Sequence, residues 1–303
     1  MRIGPRCSPP PLRYVLAESI VPVTPLEAPL PGDEVEPVPL LTRIQGSGNW
    51  SGAYIVPNHA RRFTRVVGRW QVPTLAPGRR GPDDQDLPFR CSIWVGLDGK
   101  KRWTDYMPQI GSEQTLADDG TQEQHLWWQW WRRGSAAPRY LPFPIAGVPI
   151  APGDLVLASL MALDPHRVRF HMANRTTGLF ATIQVTRSVE YVLGTTAEWI
   201  VERPADPGLA GGGGGRHAPG HLHHGGRDPG PLYPLPDFGR VVFSRCAAAH
   251  AEGGVEEPVN PPFLPRLIRM TQNFAEPSRT VVISAPSILR EPAATVRVEY
   301  TGK

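Results

Sequence analysis

Cysteine and lysine are scarce in this chain, and most of the common catalytic signatures are missing. Cys7, Cys91 and Cys246 are odd in number, far apart and without a CxxC pair, so neither a disulfide framework nor a zinc ribbon is expected. No stretch of 18 apolar residues exists to span a membrane. The best N-terminal apolar stretch, Tyr14 to Val23, is broken by Glu18 and does not read as an export signal. There is no G-x-S-x-G elbow, no H-E-x-x-H, no G-x-x-x-x-G-K-[ST] and no Asp-Thr-Gly or Asp-Ser-Gly. Serine-hydrolase, metallopeptidase, nucleotide-hydrolysing and pepsin-like routes are therefore unsupported. Gly211 to Gly215 follows no parallel strand and opens no helix, so it is not a dinucleotide fingerprint.

Charge excludes less. Basic residues number 32 and acidic ones 28, a formal net charge of +4, and only Lys100, Lys101 and Lys303 are lysines. Arginines are scattered, as in Arg61-Arg62, Arg79-Arg80 and Arg132-Arg133, and do not form a basic stripe interleaved with aromatics, so nucleic acid is not the expected partner. Nine histidines would add to the positive charge below about pH 6 and make the chain strongly cationic in acid.

What is abundant is proline and glycine, 36 and 31 of 303 residues, which disfavours long helices and favours short strands joined by turns. From Asn49 onward, β-branched and aromatic runs recur between turn signals. Trp50–Val56, Phe63–Val72, Phe89–Asp98, Trp103–Ile110, His125–Trp131, Asp154–Leu163 and Thr196–Arg203 are among about a dozen such runs. No βαβ rhythm appears, and the one short helical turn expected is at Cys246–Glu252. The pattern predicts an all-β, antiparallel sandwich or barrel.

Residues 1–45 are rich in Pro and Glu and lack either periodicity, which suggests an extended arm or pro-segment, or else a disordered tail. Residues 46–303 form the expected β-domain. Within it, 206–236 carries Gly211 to Gly215 and then His217, His221, His223 and His224, and reads as an inserted low-complexity loop. Gathering those histidines on a metal would cost a flexible loop much entropy, so no metal or other cofactor is expected.

Four segments in order stand out: Gly48-Asn49-Trp50-Ser51-Gly52-Ala53, Ser92-Ile93-Trp94-Val95-Gly96-Leu97-Asp98-Gly99, Met107-Pro108-Gln109-Ile110-Gly111, and Thr196-Ala197-Glu198-Trp199-Ile200-Val201-Glu202. Trp127-Trp128-Gln129-Trp130-Trp131 lies between the last two, and Leu235-Pro236-Asp237-Phe238-Gly239 follows them. Together they resemble the glutamic peptidases, or eqolisins, from about residue 46 to the C-terminus apart from the His/Gly loop. The resemblance implies a concanavalin-like sandwich of two curved antiparallel sheets with a concave substrate groove. It places the catalytic pair on Gln109 and Glu198, and substrate-lining residues on Trp94 and Asp98. Gln129 stands where the family commonly has a glutamate, in the aromatic strand that faces the site. An extracellular setting, a polypeptide substrate and a monomer are what the resemblance implies.

The residues support that placement. Side chains two apart share a strand face, so Trp94, Gly96 and Asp98 point together, as do Asp105, Met107 and Gln109, and Thr196, Glu198, Ile200 and Glu202. Ala197, Trp199 and Val201 form the opposite, packing set. Glu198 is expected to be partly desolvated and so raised towards base-competent values. It would activate water while Gln109 orients that water and steadies the oxyanion, an acid-active endopeptidase working at roughly pH 3–5 and indifferent to inhibitors of two-aspartate proteases. Trp131 is the groove candidate among the tryptophans, with core packing as the alternative, and Asp98 either lines the groove or caps the turn before Gly99. The competing reading is a non-catalytic β-sandwich that binds carbohydrate or peptide in a Trp-lined groove.

Overall fold

Runs of alternating residues become strands here because each buries one set of side chains between two sheets. The computed structural model describes residues 44–57, 61–81, 87–100, 104–135, 137–205, 232–252, 255–259, 265–274, 279–289 and 295–302. The 1–45 arm up to residue 43, residues 206–231 of the expected loop and its four histidines lie outside them.

In chain order the strands begin with β1 (Gln45–Ser47), β2 (Trp50–Ile55), β3 (Phe63–Gln71), β4 (Phe89–Leu97), β5 (Tyr106–Leu116) and β6 (Gln122–Arg132). A 3-10 turn at Pro138–Tyr140 precedes β7 (Phe143–Pro144), β8 (Leu155–Asp164), β9 (Arg167–Asn174), β10 (Phe180–Thr186) and β11 (Ala197–Glu202). The remainder are β12 (Arg240–Glu252), β13 (Val255–Val259), β14 (Arg266–Phe274), β15 (Arg279–Leu289) and β16 (Thr295–Tyr300).

One sheet runs β16-β15-β14-β2-β11-β4-β5-β6-β7 and the other β10-β9-β8-β3-β12, with β13 on β12. Every pairing is antiparallel except that of β1 with β14. β12 belongs to both sheets. Arg240 to Phe243 pair with β16, whereas Ser244 to His250 pair with β3, and the register shifts between Ser244 and Ala247. Arg245 sits at that corner with φ of 55°, a bulge that lets one strand change sheets. The helical turn expected at Cys246–Glu252 is therefore incorrect, since these residues are the second half of β12. The helix preference of Ala247 to Ala249 yields to their pairing with β3.

The core lies between the sheets. Ala197, Trp199 and Val201 of β11, Ile93 and Val95 of β4 and Trp128 and Trp130 of β6 share one cluster with Val66, Trp70, Val156, Leu160 and Phe170 of the other sheet. Each fully buried large side chain of this kind is worth about 2–3 kcal/mol. Two indole N–H groups of this core bond across the layer, Trp199 Nε1 donating to the Val67 carbonyl at 2.8 Å and Trp70 Nε1 to Ser112 Oγ at 3.1 Å, whereas Trp130 Nε1 has no partner among the described residues. Gly68 permits this closeness, because a Cβ there would stand 2.8 Å from Val95 Cγ1 and 2.9 Å from Trp199 Cδ1. With one face of β11, β4, β5 and β6 committed to this core, the opposite face is left to carry the chemistry. The expected insertion begins and ends on this framework, as Ala205 bridges Leu232 and the Tyr233 N–H donates to the Pro204 carbonyl at 3.0 Å.

Candidate active site

Antiparallel register brings distant residues into a single row. Tyr54 of β2 pairs with Glu198 of β11, Glu198 with Gly96 of β4, Gly96 with Gln109 of β5, and Gln109 with Gln129 of β6. Directly opposed residues project from the same face, so these side chains stand side by side on the face away from the other sheet. Glu198 and Gln109 are two strands apart, about 10 Å between backbones, and the strand between them contributes only a hydrogen. A Cβ on Gly96 would lie 3.0 Å from Trp94 Cζ3, 3.1 Å from the Pro108 carbonyl and 3.3 Å from Gln109 Cβ.

Trp94 fills the next row. It pairs with Ile200 and with Gly111, where a Cβ would come within 2.6 Å of Trp94 Cβ. One edge of its indole reaches Gly96, and at the other Nε1 donates to Glu202 Oε2 at 2.7 Å. Trp50 meets it edge-on at 5.1 Å between ring centroids. Trp50, Tyr54, Trp94, Met107, Trp127, Ile200 and Ile268 form a second apolar cluster on this face, with half-buried Trp131 against it. Glu198 and Gln109 thus sit in apolar surroundings, and both are buried.

Their polar atoms are incompletely used. Neither carboxylate oxygen of Glu198 accepts a hydrogen bond from a described residue, and neither does Gln109 Oε1. The Thr196 hydroxyl and the Gly99 amide lie close to Glu198 without completing a bond. Leaving buried acceptors unpaired costs about 1–3 kcal/mol each, and more when charged. With three such oxygens on one row, either side of a glycine, a water molecule with two protons to donate would satisfy one on each residue.

A model of the Peptidase A4 family matches residues 48–273, a span that holds every residue of this row. The chain belongs to the peptidase A4 family. It is accordingly a peptide-bond hydrolase with polypeptide substrates, which decides against the non-catalytic binding module. Among solved structures it is similar to scytalido-glutamic peptidase with a transition-state analog inhibitor, at TM-score 0.59 and 19% identity over 84% of this chain and 98% of that one. It is also similar to SCP-B, a member of the eqolisin family, in complex with the tripeptide Ala-Ile-His, at TM-score 0.56 and 18% identity over the same shares of the two chains. These likenesses establish the β-sandwich fold. No curated protein matches.

Within this family member, burial dominates the electrostatics. It pushes the Glu198 carboxyl from 4.5 up to about 8; the nearby Asp98 charge adds to the rise, while Thr196, the Gly99 amide and Lys100 hold it back. Burial likewise lowers Lys100 to about 8, and the Glu198 charge opposes that. Lys100 Nζ stands 5.5 Å from the Tyr54 ring centroid, beside the partner of Glu198 in the row. Glu202 is raised to about 7 by burial, although Trp94 and Asn49 Nδ2, the latter at 3.2 Å, donate to it. Both described cysteines, Cys91 and Cys246, are buried thiols whose pKa burial pushes up, so neither is an activated nucleophile.

The structure gathers Trp94, Gln109, Gln129 and Glu198, and puts Trp131 one row beyond, opposite Met107. Asp98 is elsewhere occupied. At φ of 72° it leaves the strand, and its carboxylate accepts four hydrogen bonds: from the Leu193 and Gly194 amides at 2.6 and 2.9 Å, and from the Thr195 amide and hydroxyl at 2.6 and 2.8 Å. Of its two sequence readings, this is closer to the turn-holding one, except that the loop it holds is the one leading into β11. Gln129 spends its amide on the frame, donating to the Tyr140 carbonyl and accepting from Gln109. Sequence reasoning missed Tyr54 and Lys100. Strand register alone pairs Tyr54 with Glu198, and the only signal for Lys100 was a rare lysine after the Asp98-Gly99 turn.

Proposed function

We propose that this peptidase cleaves internal peptide bonds with a water molecule held between Glu198 and Gln109. The observation that carries the reading is the set of three buried acceptor oxygens, two on Glu198 and one on Gln109, that lie on one row either side of Gly96 and accept no hydrogen bond from a described residue. The ionised Glu198 takes a proton from the water as its oxygen attacks the scissile carbonyl carbon. Gln109 accepts the water's other O–H through Oε1 and donates the N–H on the same edge of its amide to the developing oxyanion. As the C–N bond breaks, Glu198 returns the proton to the leaving nitrogen, giving an amine and a carboxylic acid with no acyl-enzyme. Trp94, held by Glu202, walls the reacting water, and Trp131 offers an aromatic surface to the substrate.

The pH expectation shifts with the geometry. A base must be ionised, so kcat/KM rises as pH climbs through the Glu198 pKa, and burial places that pKa above the ordinary 4.5. The rising limb therefore lies above the roughly pH 3–5 expected from an ordinary glutamate, lowered from its dry-site position by the water's hydrogen bond. The reading extends to an extracellular setting, as the family's secreted character implies. Among the described residues no helix is long and apolar enough to cross a membrane.

The test is digestion of a denatured protein from pH 3 to 9 by the parent, Glu198→Ala and Gln109→Ala. The parent should cleave with or without an inhibitor of two-aspartate proteases. Loss of the base should cost about 10²–10⁴-fold and loss of the amide about 10²–10³-fold. Variants that cleave at the parent's rate would remove the dyad from the mechanism.

A further inference from the structure

The dyad as described needs Gln109 to turn its oxygen, not its nitrogen, towards Glu198. A carboxamide is nearly symmetric in shape, so its orientation has to be set by its neighbours. Gln129 lies directly opposite Gln109, both are buried, and Gln109 Nε2 donates to Gln129 Oε1 at 2.5 Å. Gln129 is itself fixed by a group with no choice of polarity: its Nε2 donates to the Tyr140 backbone carbonyl at 2.5 Å, and a carbonyl only accepts. Tyr140 O compels Gln129 to present its nitrogen outward and its oxygen to Gln109, which in turn compels Gln109 to present Nε2 to Gln129 and Oε1 to the site.

The carbonyl is held in place by the turn it belongs to. The Tyr140 hydroxyl donates to Glu190 Oε1 at 2.7 Å and accepts from Arg139 Nη2 at 2.7 Å, and His166 Nδ1 donates to the Glu190 carbonyl at 2.7 Å. Residues 193–195, a few positions after Glu190, are the ones fastened to Asp98 just before Glu198. Hydrogen bonds thus anchor the Tyr140 turn beside Gln129 and, separately, the loop that leads into Glu198.

We propose that Gln129 is a positioning residue that fixes the orientation of the Gln109 amide, and that, being an amide, it does so at any pH. The proposal rests on the dyad reading above. A carboxyl group at 129 could make both bonds only while protonated. Once ionised it has no hydrogen for the Tyr140 carbonyl, and two like-charged oxygens would face each other. The ionisable groups around the position are Arg132 on its own strand, Tyr106 on β5, Arg139 and Tyr140 on the turn, Glu190 behind the turn and Glu198 across Gly96. Among the described residues none of their side chains hydrogen-bonds Gln129.

The experiment is the pH dependence of kcat and KM for Gln129→Glu and the parent on one peptide substrate between pH 4 and 8. The variant-to-parent ratio of kcat should be highest at pH 4 and fall at least tenfold by pH 8, with the KM ratio changing less. A flat ratio overturns the proposal, because a packing defect alone has no pH dependence. A ratio that falls but recovers when the series is carried on to pH 10 overturns it too, since that is the signature of a new charge raising the Glu198 pKa. If Gln129→Glu does not fold, Gln129→Met serves: kcat should drop at least tenfold at every pH, and a kcat within twofold of the parent overturns the proposal. A parent that cleaves nothing would instead defeat the dyad reading, and this proposal with it.

Discussion

Replacing Glu198 by Gln should make the protein inactive and, at neutral pH, more stable. In the unfolded chain this carboxyl titrates near 4.5, and in the folded protein burial lifts it to about 8. Between those values the folded state keeps a proton that the unfolded state has released. Stability linked to this group is fully present below pH 4.5 and is lost as pH rises towards 8. At about 1.4 kcal/mol for each pKa unit, the loss reaches at most about 5 kcal/mol. Glutamine imitates the neutral carboxyl and has no proton to lose. The two proteins should therefore melt together near pH 4 and diverge as pH rises, the variant exceeding the parent by up to roughly 10–15 °C at pH 8, taking about 2–3 °C per kcal/mol for a domain of this size. Glu202 has the same sign but titrates in both proteins and cancels from the difference. Thermal melts followed by circular dichroism across this range make the measurement. Curves that run parallel would refute the reasoning, because they would mean that the carboxyl is not desolvated by folding.

Two further substitutions probe the frame around the dyad. Gly96→Ala places a methyl against Trp94, Gln109 and the Pro108 carbonyl, so it should cost about 1–3 kcal/mol in urea unfolding and lower kcat/KM by more than tenfold. A variant with parental kinetics would show that the glycine gap is not used. Asp98→Asn keeps the left-handed backbone but turns an amide nitrogen towards two of four donors. It should lose about 2–4 kcal/mol of unfolding free energy, and an unchanged urea midpoint would contradict that bonding.

Much of the fold was legible in the sequence because its strands are runs of β-branched and aromatic residues bounded by turn signals. β2, β3, β4 and β11 lie within a residue or two of where those runs end. β14 was not legible, since Leu267 and Ile268 are buried in different clusters on opposite faces and the register shifts between Met270 and Thr271. The second half of β12 reads as helix locally, and only its partner strand overrules that. At the site, motif order pointed to Gln109 and Glu198, and face alternation put Glu202 beside them. The work of Asp98 and Gln129 was hidden, because their partners are a loop about a hundred residues later and a backbone carbonyl on a separate turn. A pairing of that kind leaves no periodicity to read.

The most direct measurement is a crystal structure of the parent at a resolution that orders solvent in the row between β11 and β5. The account predicts one water within about 2.6–3.2 Å of both a Glu198 carboxylate oxygen and Gln109 Oε1. Two separately hydrated head groups, or a Gln109 amide turned with its nitrogen towards Glu198, would contradict it.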